Sequence, residues 1–172
     1  YTFYVNNGPN VTGTISNDTN SAVNLINLPN GTYNVVLEGV DNAGNRKNST
    51  PIKIYVDGIK PTINLTSPTN NSNTSLMTLD LVFKPIDNLA NNLTCNMTLD
   101  NVIIASDMIV NNGQSRNVTA TGLSGGYHYW NVTCIDLALN KNTSTTFLFF
   151  VVMPYLYVDN DSIFFNNTNP VE

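Results

Sequence analysis

Leu28-Pro29-Asn30-Gly31-Thr32-Tyr33-Asn34-Val35-Val36-Leu37, running on to Asp41, Ala43, Asn45 and Ser49, has a second copy 95 positions later. That copy reads Leu123-Ser124-Gly125-Gly126, then His128, Trp130, Val132, Asp136, Ala138, Asn140 and Ser144. The register continues without a gap, so that Ile52, Ile54 and Val56 answer to Phe147, Phe149 and Val151. Such a period is the size of one β-sandwich domain and far longer than a solenoid repeat. Both copies alternate. Tyr33, Val35 and Leu37 fall on one face and Asn34, Val36 and Glu38 on the other, which is the pattern of a half-buried strand. Asn6-Asn7-Gly8-Pro9, Asn42-Ala43-Gly44-Asn45 and Asn112-Gly113 supply turns, because Asn and Gly tolerate positive φ. With no helical periodicity to compete, the expectation is an all-β chain of tandem sandwiches.

Asp57-Gly58-Ile59-Lys60-Pro61 links the copies. The second then opens with Thr62-Ile63-Asn64-Leu65-Thr66-Ser67-Pro68 and continues with strands at Leu79–Phe83 and Cys95–Leu99. Sliding the copies together lays Tyr1-Thr2-Phe3-Tyr4-Val5 on Cys95–Leu99, so the first copy lacks its first two strands. Tyr155 to Glu172 begins a third strand pattern that is not completed. The expected organisation is a partial domain over 1–58, a complete one over 59–153, and over 154–172 the opening strands of a further sandwich or a donated strand. The whole reads as a window on a longer multidomain protein.

Gly31-Thr32-Tyr33 to Asp41-Asn42-Ala43-Gly44-Asn45, and Trp130-Asn131-Val132-Thr133-Cys134-Ile135-Asp136, resemble the strand–turn signature of immunoglobulin-like repeats in archaeal and bacterial cell-surface proteins. Lys60-Pro61-Thr62-Ile63 to Ser67-Pro68 resembles the start of such a repeat, and Leu156-Tyr157-Val158 to Asn169-Pro170-Val171-Glu172 the opening of a bacterial cell-adhesion-related domain. The resemblance implies immunoglobulin-like sandwiches at a cell surface. Leu137 and Leu139 depart from it, standing where the first copy has Asn42 and Gly44.

The chain is also dense in Asn-x-Ser/Thr, the acceptor for N-linked sugar, with fourteen triplets beginning at Asn10, Asn17, Asn30, Asn48, Asn64, Asn70, Asn73, Asn92, Asn96, Asn117, Asn131, Asn142, Asn160 and Asn166. About 31 Asn and about 31 Ser plus Thr in 172 residues would give roughly six at random. The excess points to an extracellular glycoprotein, against the alternative that an Asn- and Thr-rich sequence makes triplets as a by-product. Charged residues are only 11% of the chain, less than half the usual share of about 25%. Asn, Thr, Ser and sugar must therefore carry solubility. A net charge of -5 argues against a nucleic-acid partner, and no Lys/Arg run suits an anionic membrane surface. The longest apolar stretch, Phe147 to Val158, is broken by Pro154 and is too short for a membrane span in this fragment.

Two cysteines suit one disulfide in an oxidising compartment. Cys95 and Cys134 share the inward face with Met97, Leu99, Trp130 and Val132; the alternative is a pair of buried thiols. His128, the only histidine, takes the place of Tyr33 and reads as a packed side chain, since no motif marks a catalytic partner. Asp41, Asn42 and Asn45 could offer oxygens to Ca²⁺, but hard-cation sites gather more carboxylates, so the turn reads as self-satisfied and no cofactor other than sugar is expected. Leu148, Phe150 and Val152 replace Lys53, Tyr55 and Asp57. An outward apolar row marks contact with another surface, either an interface or a neighbouring domain of the same chain. Together these features suggest a non-catalytic structural module of a filament, stalk or envelope layer that self-associates through strand edges or a donated strand. The alternatives are an adhesion or glycan-binding module, hinted at by Tyr127 and Tyr129, or accessory domains of a secreted hydrolase.

Overall fold

The computed structural model describes residues 1–16 and 19–153, together with the backbone of Tyr155–Asp159 and Ser162–Asn166. Every regular element is a strand, so no helix among the described residues could cross a membrane. The chain divides into Tyr1–Gly58 and Ile59–Glu172, within the linker read from the sequence.

The first unit holds β1 (Thr2–Val5), β2 (Gly8–Thr12), β3 (Gly31–Val40), β4 (Arg46–Asn48) and β5 (Ile52–Val56) in one sheet, ordered β2-β1-β3-β4 with β5 also on β3. Asn6 and Asn7 make the β1–β2 turn with φ of 48° and 69°, the left-handed pair that two-residue hairpins require. Register sets Val5 opposite Val35, Phe3 opposite Leu37 and Val11, and Ile54 opposite Tyr33, which gathers the apolar side chains on one face. No second sheet lies among the described residues of this unit. Val35 alone is buried there.

The second unit has what the first lacks. β6 (Thr62–Ser67), β7 (Ser72–Thr74), β8 (Thr78–Ile86), β9 (Asn92–Leu99), β10 (Val102–Asn111), β11 (Arg116–Thr121), β12 (Gly126–Ile135), β13 (Lys141–Thr143) and β14 (Phe147–Val151) form two sheets. One is ordered β10-β9-β12-β14-β7, with β13 on β12; the other is β11-β8-β6. Period-two alternation is complete in β9, where Leu93, Cys95, Met97 and Leu99 point into the core. They meet Trp130, Val132 and Cys134 of β12, Phe149 and Val151 of β14, and Leu65, Leu81, Phe83 and Ala120 from the smaller sheet. This is an all-β sandwich of the immunoglobulin-like kind.

The first unit's β1, β2, β3, β4 and β5 hold the places of β9, β10, β12, β13 and β14, and the two strands that the first copy lacks answer to β6 and β8, with the short β7, which the sequence did not announce, between them. The counterpart of β11 is missing as well: among the described residues between Thr12 and Gly31 there is no strand. At the other end, β15 (Tyr155–Asp159) and β16 (Ser162–Asn166) pair antiparallel with each other. The described part of the 154–172 segment, read from sequence as opening strands or a donated strand, is therefore two strands paired with each other.

The signature turn is built alike in both units. Asp41 Oδ1 accepts the N–H groups of Ala43 and Asn45, each at 2.9 Å, and Asp136 Oδ1 accepts that of Asn140 at 2.8 Å. In each, the Asn amide donates to the other carboxylate oxygen at 2.8 Å. The Asn45 side chain, followed by its backbone N–H, lowers the Asp41 pKa. The substitution of Leu139 for Gly44 does not change the turn, because Leu139 is held at φ 69° where Gly44 has 86°. A leucine in the left-handed region costs about 1–2 kcal/mol, and glycine returns roughly half of that as unfolded-state freedom. Leu139 is 81% exposed and buries nothing in exchange. Leu139→Gly is therefore expected to stabilise the second unit by about 0.5–1 kcal/mol in urea unfolding. A loss of stability would show that the leucine makes a contact that outweighs its strain.

Candidate functional site

Cys95 and Cys134 lie directly opposite each other on neighbouring strands of one sheet and are joined by a disulfide, with Cα atoms 4.1 Å apart. Trp130 is fully buried in the same core, its ring edge-on to Phe147 at 6.2 Å. These inward residues fix what the sheet shows outside. Along β12 the outward residues are Tyr127, Tyr129, Asn131 and Thr133. Tyr127 pairs with Phe150 and Tyr129 with Leu148 on β14, while Asn131 pairs with Thr98 and Thr133 with Asn96 on β9. The outer face is aromatic at one end and Asn/Thr-rich at the other.

The aromatic end contains the row singled out from sequence. Leu148 and Phe150 face outward, as their replacement of Lys53 and Tyr55 implies, yet both are half-buried. The Tyr127 ring stands edge-on to Phe150 at 4.8 Å and 68°, covering part of it. Tyr127 remains 63% exposed and Tyr129 50%. Val152 lies just past β14, half-buried, its N–H donating to Thr74 O at 2.7 Å. The edge of β14 is not open, because β7 pairs with it in parallel: Phe149 with Ser72, Phe150 with Asn73 and Val151 with Thr74. That pairing joins segments more than seventy residues apart and has no local signal in the sequence.

The acceptor asparagines fall into groups. Asn48, Asn64 and Asn73 are exposed. Asn30, Asn70 and Asn96 spend Oδ1 on the N–H groups of Gly58, Leu148 and Asp107, at 2.9, 2.9 and 2.7 Å. Asn117 Nδ2 reaches Asp80 Oδ2 at 3.2 Å from an exposed position. Asn92 and Asn131 are half-buried. Asn10 Nδ2 donates to Ile26 O at 2.9 Å, and half-buried Asn142 Nδ2 donates to Pro61 O at 2.8 Å. Sugar is attached at Nδ2, so at these last two it would have to share a nitrogen already committed to the fold. Asn17, Asn160 and the side chain of Asn166 lie outside the described residues.

His128 is buried, as its repeat position implies, and stacks on Phe149 at 5.3 Å. Its Nε2 donates to Ser124 O at 2.9 Å and its Nδ1 lies 2.6 Å from Asp100 Oδ2. Burial disfavours the imidazolium, but the Ser124 carbonyl and the Asp100 carboxylate outweigh it and raise the pKa above its usual value. Asp100 is fixed in turn by the Tyr129 N–H on Oδ1, at 2.8 Å. This His–carboxylate pair ties β12 to the β9–β10 turn, and nothing in the repeat pattern announces it. A folded pKa above the unfolded value means that the pair stabilises fully below about pH 6.5 and loses that stabilisation as pH rises through the folded pKa. The urea midpoint should fall between about pH 6 and pH 9, and His128→Gln should flatten the slope. An unchanged slope in the variant would assign it elsewhere.

Asp87 and Asp136 bring carboxylate oxygens within 4.8 Å of each other. Asp136 already holds the Asn140 turn, and Asp87 Oδ1 caps the N–H groups of Leu89 and Ala90 at 3.0 and 2.8 Å. The other Asp87 oxygen, Oδ2, is buried without a hydrogen-bond partner among the described residues.

Neither a protein-family model nor a curated protein matches the sequence. Among solved structures, the chain is similar to the fibronectin(III)-like modules of Clostridium thermocellum CbhA, with 20% identity, TM-score 0.40, and 88% of this chain and 77% of that one covered. It is also similar to SGBP-B of the Bacteroides ovatus mixed-linkage glucan utilization locus, solved with a mixed-linkage heptasaccharide, with 14% identity and TM-score 0.33. There it covers 90% of this chain but 39% of the other. Likeness at this level does not bear on function.

Proposed function

We propose that this chain is a non-catalytic structural module of an extracellular, N-glycosylated surface protein, working in a filament, stalk or envelope layer. The observation that carries the reading is the one-layered first unit. Phe3, Val5, Val35, Leu37 and Ile54 occupy the positions that the second unit fills with Met97, Leu99, Trp130, Val132 and Phe149, all of them buried. A sheet face patterned for a core needs a second layer, and that layer comes from sequence outside this chain or from a neighbouring subunit. These residues of the first unit are only half-buried, apart from buried Val35, and an incompletely covered apolar sheet invites pairing in either case. The disulfide supports an oxidising compartment, and the acceptor density supports sugar.

The test is mass spectrometry of native material with electron microscopy of the same sample. Sugar is expected chiefly at Asn48, Asn64 and Asn73 and least at Asn10 and Asn142, in particles with repeated contacts. A sugar-free mass and a compact monomer by sedimentation would end the reading. The adhesion alternative rests on exposed Tyr127 and Tyr129, and would instead require a soluble sugar to protect them.

A further inference from the structure

The aromatic patch on the second unit is small and oddly placed for a protein partner. Tyr127, Tyr129, Leu148 and Phe150 occupy only β12 and β14. Neighbouring strands lie about 4.8 Å apart, so the row Tyr127–Phe150–Asn73 spans about 10 Å. A stable protein interface enlists roughly 20–30 residues a side. One or two sugar rings, by contrast, match a platform of this size.

Three acceptor asparagines border it. Asn131 follows Tyr129 by two residues on the same outward face of β12. Asn70 accepts the Leu148 N–H, and Asn73 pairs with Phe150 across the β7–β14 ladder. Asn73 is the best placed of the three. It is exposed, it shares a row with both rings, and its Oδ1 and Nδ2 are not drawn into the sheet, whereas Asn70 has its Oδ1 held by Leu148.

We propose that the sugar carried by Asn73 folds back across β14 and lies on Phe150 and Tyr127, so that the module covers its own aromatic patch with its own glycan. This rests on the glycoprotein reading above and goes a step further, to the ligand of a particular surface. The apolar C–H face of a pyranose removes ring surface from water, while its hydroxyls keep the outside of the sheet wet. The Asn side chain and first ring reach over the neighbouring strand, and a second ring reaches Tyr127. The arrangement leaves the outer face closed to other copies of the chain and directs association to the first unit.

The test is tyrosine nitration of the glycosylated chain, with peptide mass spectrometry reading both sugar at Asn73 and nitration at each tyrosine. Tyr127 should react several-fold more slowly in the chain bearing sugar at Asn73 than in Asn73→Gln. Tyr55, 66% exposed in the first unit, serves as the control and should react equally in both. Phe150→Ala, with the sugar still present, should restore part of the Tyr127 reactivity. Equal Tyr127 rates with Asn73 occupied overturn the stacking and leave the glycoprotein reading intact. So does sugar found only at other sites. Absence of sugar throughout sinks both. Protection that persists in Asn73→Gln and grows with protein concentration would give the patch to a second copy, and protection that needs added oligosaccharide would give it to a foreign glycan.

Discussion

Trp130→Ala is expected to destabilise the second unit by about 3–5 kcal/mol, enough to unfold a sandwich of this size under mild conditions. The indole is the largest fully buried side chain of the unit and sits where both sheets meet, edge-on to Phe147 and in the same cluster as Leu81, Phe83 and the disulfide. Its removal leaves a cavity that strands tied on both sides cannot collapse into. Trp130→Phe should behave quite differently. The indole Nε1 is buried without a hydrogen-bond partner among the described residues, and an unmade hydrogen bond of this kind costs about 1–3 kcal/mol. Phenylalanine gives up part of the packing but also removes the orphan donor, so its cost should stay below about 1.5 kcal/mol. Urea unfolding of the two variants separates these effects. Equal losses would mean that the Nε1 group is satisfied in solution and that ring volume is not what matters.

The second large effect belongs to the disulfide. Cys95 and Cys134 are 39 positions apart, and closing a loop of that length is worth roughly 4 kcal/mol in the chain-entropy model. The bond here joins residues that are already cross-strand partners in a ladder running from Trp130–Leu99 to Ile135–Thr94. It locks the register of one sheet rather than fastening two sheets together. Residual pairing of β9 with β12 in the unfolded ensemble lowers the benefit, so the expected loss for Cys95→Ala with Cys134→Ala is about 2–4 kcal/mol. That corresponds to a fall in Tm of about 10–20 °C for a domain of this length, and reduction of the native chain should do the same. A change of less than about 1 kcal/mol would show that the core, with Trp130 at its centre, holds this sheet without the bond.

Much of this architecture is written locally. Alternation in Leu93–Leu99 and Gly126–Ile135 and the turn-forming Asn6-Asn7 and Asp41–Asn45 stretches are all read within a few residues, and each appears in the structure as a strand or turn. The shared inward face of Cys95 and Cys134 is legible in the alternation, and the ladder then sets the two directly opposite each other. Contacts set by topology were beyond reach. The parallel placement of Ser72–Thr74 on β14 puts an acceptor asparagine beside Phe150, and only the crossing of the chain decides it. The Asp100–His128 pair sits on a hairpin turn, with Asp100 and Asn101 at φ 49° and 65°, that is the counterpart of Asn6-Asn7, and it arises only from the exchange of Asn6 for Asp100 and of Tyr33 for His128. The outward row at Leu148 and Phe150 was legible as apolar but not as half-covered, because the covering ring, Tyr127, belongs to another strand.

The account turns on the half-covered apolar face of the first unit, and a single thiol reports on it. Leu37→Cys places a reactive group on that face, opposite Phe3, and Lys53→Cys places one on the other side of the same sheet. In this chain by itself the thiol at half-buried position 37 should react with a small maleimide within a few-fold of that at exposed position 53. In the assembled native protein the thiol at position 37 should be protected at least about tenfold, as buried positions are, while that at 53 continues to react. Equal labelling of the two positions in the native assembly would show that no second layer covers the sheet, and would contradict the proposal that this module is completed by its neighbours.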